Sequence, residues 1–252
     1  MGIINPPANG NRYGSDFAIA GSIEEMCSLS YYDNVFLFPL IEDMYQDPLD
    51  YKIHSNTGKL KVVYHGNSVH LNRFEPHLKR ALERLDAETP IELVVISPTT
   101  DHWTKGVPEI KNVTFKEWKI STIKREILEC DIGIVPNSST LPVTDHSPML
   151  GKYNTDYLLR FKNKSNSGRS FVFHQLGIPV VADITPSNFH ILGNPKNGSI
   201  ASNEQSWYKS LSEFRDPVYR QSVADNAKEE FDRLYDPLEW ASKLYREIEN
   251  IL

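Results

Sequence analysis

Residues 162–182 read Lys162-Asn163-Lys164-Ser165-Asn166-Ser167-Gly168-Arg169-Ser170-Phe171-Val172-Phe173-His174-Gln175-Leu176-Gly177-Ile178-Pro179-Val180-Val181-Ala182. A polar, cation-bearing loop leads into a short helix, a glycine stop and a buried strand. Ser165 or Asn166 can cap the helix, and Gly177 can end it. Ile178 to Ala182 is short, apolar and β-branched, the composition of a strand covered on both faces. A helix N-terminus offers amides without intrahelical acceptors and the positive end of the dipole, which suits an anion. Lys164 and Arg169 add full charges at the same place. The simplest ligand for that combination is a phosphate or diphosphate.

The pattern on either side is regular. Leu60 to Tyr64 reads as a strand ending in the turn His65-Gly66-Asn67. Leu71, Phe74, Leu78, Leu82 and Leu85 fall at helical spacing, which predicts an amphipathic helix over 72–86. Strands follow at 91–96 and 113–118, then a helix capped by Ser121 and running to about 129, and a buried strand at 132–135. Residues 136–161 form a long insertion with Pro136, Pro142 and Pro148. A short strand is expected at 199–201 and helices near 203–214, 217–234 and 237–251. Strands alternating with helices imply right-handed crossovers and a Rossmann-like, doubly wound parallel α/β sheet.

Upstream, residues 1–16 are rich in Gly, Asn and Pro and are expected to lack regular structure. Phe17 to Gly21 reads as a strand. Ser22 caps a helix to about Leu29, with Glu24 and Glu25 complementing its dipole. Asn34 to Leu40 reads as a second strand. A polar connector over 42–58 carries the breakers Pro48, Asn56 and Gly58. The chain therefore divides into a strand–helix–strand remnant with its connector, 1–58, and a larger unit, 59–252.

In an open parallel sheet, ligands bind beyond the carboxyl ends of the strands. The turn at Gly66, the loop after Pro136 and the loop from Lys164 to Arg169 all lie at such ends, so they are expected to converge. Gly66 either brings the backbone close to a phosphate or makes a tight turn. Ser165 and Asn166 act as helix caps, phosphate donors or both. His65, Pro136, Asp183 and His190 lie where they could face the rest of the ligand, which the resemblance given below implies is a sugar or base.

The composition narrows the function classes. The chain has 252 residues, 40% hydrophobic and 24% charged, with a net charge of −6. That is an ordinary globular balance, and it argues against a broad nucleic-acid surface, which needs a basic stripe. Cys27 and Cys130 make no disulfide framework, so a reducing cytoplasm is expected. The N-terminus has neither a basic region nor an apolar core, so no signal peptide is read there. No apolar run reaches the ~18–20 residues of a membrane span. Eight histidines and two cysteines show no compact metal-ligand spacing.

Three landmarks together resemble the donor-binding C-terminal half of GT-B glycosyltransferases of the family 4-like retaining group. They are Val62-Val63-Tyr64-His65-Gly66-Asn67, Cys130-Asp131-Ile132-Gly133-Ile134-Val135-Pro136, and the opening stretch with its Gly-x-Pro-Val-Val-Ala strand. The resemblance covers roughly 59–252. It implies a donor diphosphate held by Gly66, Asn67, Lys164, Ser165, Asn166 and Arg169, with no metal or other cofactor required. It also implies sugar transfer from a nucleotide diphosphate sugar to a glycan or lipid acceptor, with retention, at the inner membrane face. A partner subunit would then supply an acceptor domain. The chain departs from the family in two places. Many relatives carry a Gly-Arg turn with a Lys five positions after that Arg; here those positions are Asn67 and Asn72. Many also carry two glutamates eight positions apart; here those positions are Lys164 and Val172. A non-catalytic nucleotide-sugar-binding or assembly module is the alternative that these departures leave open.

Overall fold

The computed structural model describes residues 1–7, 10–47, 49–56, 58–98, 106–137 and 167–251. Two parallel sheets organise the chain. The first comprises β1 (Gly2–Ile4), β2 (Phe17–Ala20) and β3 (Asn34–Leu37), in that order, with α1 (Ile23–Ser28) between the last two. The second comprises β4 (Leu60–His65), β5 (Ile91–Ser97), β6 (Val113–Glu117), β7 (Ile132–Val135), β8 (Val180–Asp183) and β9 (Ser199–Ala201). Its spatial order is β6-β5-β4-β7-β8-β9, and every pairing is parallel. The chain builds outward from β4 on one side, then returns to β7 and builds outward on the other. This is the doubly wound arrangement, and it leaves a crevice between the ends of β4 and β7.

The helices are α2 (His77–Glu88), α3 (Ile123–Leu128), α4 (Gly168–Gln175), α5 (Pro186–Leu192), α6 (Glu204–Glu213), α7 (Pro217–Leu234) and α8 (Pro237–Glu249). Alternation along β4 assigns the two faces. Val62 and Tyr64 join Leu78, Leu82, Leu85, Trp207 and Leu211 of α2 and α6. Val63 joins Ile123, Ile127, Phe171, Phe173 and Phe231 of α3, α4 and α7. A strand buried on both faces must be apolar at successive positions, and the runs 62–64, 93–96, 132–135 and 178–182 are why these strands were legible.

Several local expectations change. Residues 1–16 are not without structure: β1 pairs with β2 through Gly2↔Phe17, Ile3↔Ala18 and Ile4↔Ile19. Gly2 makes this possible, because a Cβ there would lie 2.2 Å from the Phe17 ring. The expected helix over 72–86 divides into a 3-10 turn, Ser68–Phe74, and α2, which begins only after Pro76. The proline lacks the N–H to continue a helix through that point. Thr122 rather than Ser121 precedes α3, and its side chain makes no capping bond. Ser167 precedes α4, also without a side-chain cap bond. Ser165 and Asn166, the expected caps, lie outside the described residues, as does the insertion from 138 onward.

The connector is anchored, not loose. Arg220 of α7 is only 2% exposed. Its guanidinium donates to His54 Nδ1 (3.2 Å) and to the carbonyls of Phe214 (2.7 Å), Arg215 (3.0 Å) and Ser55 (3.1 Å). Asp131, at the start of β7, lies 3.8 Å away and also pairs with Lys52 at 3.5 Å. His54 Nε2 faces the Gly177 carbonyl at 2.9 Å. Because Nδ1 accepts from Arg220, the proton sits on Nε2, which donates to Gly177. Gly177 itself has φ 68° and no room for a Cβ beside the Tyr51 ring. Its predicted role as helix stop therefore serves two ends, the left-handed turn and the packing of the connector.

The two sheets meet through α1 and α5. Ser187 Oγ donates to Glu24, the Ser187 N–H donates to Glu24 Oε1 (3.2 Å), and the Ile23 N–H donates to Ser187 Oγ (3.1 Å). Glu24 and Glu25 are both buried. They tie the N-terminal layer to α5 and Gly21 in addition to complementing the α1 dipole. α8 contacts β3. None of its residues is fully buried: Trp240 packs against the core and stacks on Tyr235, while Leu238 and Tyr245 are exposed.

Candidate functional site

Around the switch point between β4 and β7 lie five of the eleven buried side-chain polar atoms that lack partners among the described residues. Buried side-chain atoms without a hydrogen-bond partner include His65 Nε2, Asn72 Oδ1, Asn137 Nδ2, Ser167 Oγ and Arg169 Nη1. All five lie at or just beyond the carboxyl ends of β4 and β7, or at the start of α4. Buried polar groups are normally satisfied, so a cluster of this kind at a crevice marks where a ligand's polar atoms fit.

Gly66 follows β4 with φ 142°, a conformation that L side chains rarely adopt, and its amide donates to the Ile96 carbonyl at 2.9 Å. A Cβ at this position would lie 3.0 Å from Tyr64 Oη and 3.4 Å from Arg169 Nε. The tight-turn reading of Gly66 therefore holds, and the missing side chain leaves room for Tyr64 Oη and Arg169.

Arg169, in the first turn of α4, places its guanidinium carbon 5.3 Å from the centroid of the Tyr64 ring. A second guanidinium, Arg73, joins from the 3-10 turn. Burial, first, and then the charge of Arg169 push the Arg73 pKa down, while Tyr64 and Asp183 push it up. Burial raises the Tyr64 hydroxyl, and both arginines act against that shift. Arg169 therefore lies over an aromatic ring at the crevice, and the charge of Arg73 acts on both.

Arg73 is the residue that sequence reasoning missed. The cation was sought at 67 and 72, where the family resemblance implies an Arg and a Lys and this chain has asparagines. The segment winds as a 3-10 turn of about three residues per turn, so Asn67, His70 and Arg73 stack on one face. The signal was a basic side chain two such turns beyond the glycine turn. Asn67 itself serves locally: its amide oxygen accepts from the Val69 N–H at 3.0 Å, and its carbonyl accepts from Tyr64 Oη at 3.1 Å.

His65 ends β4 at 8% exposure, edge-on to Phe173 with ring centroids 5.1 Å apart. Burial, with the Arg169 charge adding to it, lowers its pKa to about 3; the backbone of Arg169 pulls weakly the other way. The ring is neutral at any physiological pH. His54 and His174 are lowered to about 4, each mainly by burial. An unfolded histidine titrates near 6.5, so below that pH the unfolded chain takes up protons that the folded chain refuses. Stability is fully present above about pH 6.5 and falls at lower pH by up to about 1.4 kcal/mol per unit for each of these histidines. Urea unfolding at pH 7.5 and pH 5 checks this, and equal stabilities at the two values would contradict it.

Pro136 and Asn137 close the far side of the crevice, both buried. The Asn137 amide donates to Asp183 Oδ2 at 2.7 Å. Asp183 ends β8 at 3% exposure, and its carbonyl accepts from Asn188 Nδ2 at 2.9 Å. His190, by contrast, is exposed on α5. It lines a cavity of about 30 Å3 with Ser22, Leu37, Pro39, Ser167 and Ser187, at the seam between the two sheets. Val172 is 0% exposed and sealed in the core, so that position presents nothing to a ligand. Lys164, Ser165 and Asn166 lie outside the described residues. Of the sequence candidates, Gly66, Asn67, His65, Pro136, Asp183 and Arg169 gather at the switch point, and His190 sits at the seam. Among the described residues, no group of three or more His, Cys, Asp or Glu could hold a metal ion, and no helix is long and apolar enough to cross a membrane.

No family model and no curated protein matches the sequence. The fold has clear counterparts among solved structures, and they are GT-B glycosyltransferases. An S. aureus TarM mutant, solved with fondaparinux, α-GlcNAc-glycerol and UDP, superposes with a TM-score of 0.64 at 12% identity, over 94% of this chain and 45% of that one. Sucrose-phosphate synthase from Thermosynechococcus elongatus gives 0.62 at 13%, over 95% and 60%. HepE from Anabaena, solved with UDP-glucose, gives 0.62 at 13%, over 94% and 64%. The chain thus spans between under half and under two thirds of the length of these structures. At such identities the likeness establishes the fold, a Rossmann-like α/β half of GT-B type.

Proposed function

We propose that the chain binds a nucleotide diphosphate sugar at the β4–β7 switch point and transfers its sugar to a glycan or lipid acceptor. The observation that carries this is the Arg169 guanidinium beside Gly66 at the start of α4, with the charge of Arg73 acting on it, at the place where a doubly wound sheet binds its ligands. A diphosphate supplies two adjacent anionic groups for two guanidiniums, each able to grip phosphate through parallel N–H bonds. The amides that begin α4 add a dipole of the same sign.

In the transfer, the bond between the anomeric carbon and the outer phosphate oxygen breaks, and its electron pair stays on the diphosphate. The acceptor oxygen bonds to that carbon and its proton is released. Charge develops on the leaving diphosphate, where the two guanidiniums stabilise it more strongly than in the ground state. In this reading the charge is met by arginines and helix amides, without a metal, and the anomeric configuration is retained. A lipid acceptor places the protein at a membrane face, and an acceptor-binding domain is supplied by a partner.

A second reading, binding without turnover, is favoured by one observation. Asp183 is the carboxylate found at the switch point among the described residues, and it already accepts from the Asn137 amide. Thermal unfolding with UDP, GDP and ADP tests the shared premise and selects the base. At a hundredfold excess over its dissociation constant, the matching nucleotide stabilises the fold by about 2.7 kcal/mol. No shift with any of the three contradicts both readings. Release of the sugar from the matching nucleotide sugar, with and without glycan acceptors, then separates an enzyme from a binding module.

A further inference from the structure

Ser167 belongs to two places at once. It heads α4 at the crevice, and it lines the cavity of about 30 Å3 at the seam between the two sheets. Three hydroxyl side chains line that cavity, Ser22, Ser167 and Ser187, and they are only 3%, 4% and 5% exposed. Ser167 Oγ is buried without a hydrogen-bond partner, so it can both give and take a bond. Ser22 Oγ accepts from the Glu25 N–H at 3.1 Å, which leaves its proton to give. Ser187 Oγ accepts from the Ile23 N–H at 3.1 Å and donates to Glu24, which leaves one lone pair. Leu37, Phe171 and Trp240 add apolar wall. A space of this size holds about two heavy atoms. Hydroxyls on one side and hydrocarbon on the other suit a carbon that bears an O–H.

We propose that the seam cavity takes the hydroxymethyl group of the transferred sugar, and so selects a hexose over a pentose or a uronic acid. The inference rests on the proposed diphosphate site and names the class of sugar carried there. Ser167 and Phe171 are about one turn apart on one face of α4, and Arg169 projects from nearly the opposite face. A phosphate at the helix start therefore has the arginine on one side and the cavity on the other, and the sugar it carries reaches toward the seam. The hydroxymethyl oxygen accepts from Ser167 or Ser22 and donates to Ser187, while its carbon lies against the apolar wall. A pentose lacks the group and leaves the Ser167 hydroxyl buried without a partner, which costs affinity. A uronic acid sets a second carboxylate beside the one that Ser187 already serves and has no proton to give.

The test titrates UDP, UDP-glucose, UDP-xylose and UDP-glucuronate calorimetrically into the full chain. The three sugars differ only in the substituent on carbon 5, which is hydroxymethyl, hydrogen or carboxylate. The expected result is UDP-glucose about tenfold tighter than UDP-xylose, with UDP-glucuronate weaker than both. Ser167→Ala brings UDP-glucose and UDP-xylose to within about threefold, a change of ratio that a general loss of folding or of phosphate binding does not produce. Ser22→Ala, on the other wall of the seam, carries the same prediction. Binding of UDP with all three sugars within about twofold of one another overturns the inference and leaves the diphosphate site intact, as does a wild-type ratio in both variants. Binding of neither UDP nor any of the three overturns the site for a uridine diphosphate sugar, and this inference with it.

Discussion

Arg169→Ala weakens nucleoside diphosphate binding by about a hundredfold, enough to abolish the thermal shift at a ligand concentration that saturates wild type. The size follows from what the side chain does. It is half-buried against Tyr64, it carries a buried Nη1 without a partner, and it stands at the start of α4 where the helix dipole acts in the same direction. A charge-assisted, two-pronged contact in such a place is among the stronger single contributions available to a binding site. Arg169→Lys restores only part of it, because an ammonium is a point charge and cannot reproduce the planar fork. Arg73→Ala gives a loss of about tenfold by the same reasoning, since one of two cations is removed. The unliganded thermal midpoint of both variants stays close to wild type, because two like charges in proximity repel and removing one relieves the folded state. Unchanged affinity in Arg169→Ala would move the ligand away from the β4–β7 crevice.

The second large effect concerns folding. Arg220→Ala lowers stability by about 3–5 kcal/mol, measured by chemical unfolding at pH 7.5, because it strips a buried network of its one shared donor. His54 Nδ1 and the carbonyls of Phe214, Arg215 and Ser55 lose their partner together, and Asp131 loses one of its two cations. Arg220→Lys does not rescue it, since a single ammonium cannot reach acceptors on the connector and on α7 at once. The connector joins the two sheets across α7 through this side chain, so its loss also exposes residues 51–56 to proteolysis. A loss below about 1 kcal/mol would place the network at the surface in energetic terms, where ion pairs contribute little.

Much of this molecule was legible without coordinates, and for identifiable reasons. The runs 62–64 and 132–135 are apolar at successive positions because both faces of their strands are covered. Asn203, Asp216 and Asp236 cap α6, α7 and α8 through short-range bonds that the sequence encodes directly. Gly66 and Gly177 mark turns that only a residue without a Cβ can make. Local physics therefore determined the doubly wound class, the strand ends that meet at the crevice, and the place of Arg169 at the start of α4.

The tertiary structure decided the rest, wherever the deciding contact lies far along the chain. The strand at Gly2–Ile4 exists because the Phe17 ring fills the space over Gly2, a relation that composition does not announce. Asp183 reads as a ligand contact from its position at a strand end, and only the pairing of β7 with β8 brings the Asn137 amide onto it. Arg220, a charged residue within the helix expected near 217–234, is drawn inside by carbonyls just before that helix and by a histidine in the connector. Arg73 depends on whether seven residues wind with a 3-10 or an α pitch, a choice made by the proline that follows and by the apolar contacts of Leu71 and Phe74. Short-range patterning determined which elements form and where their ends lie; long-range packing determined which charged side chains those ends bring together.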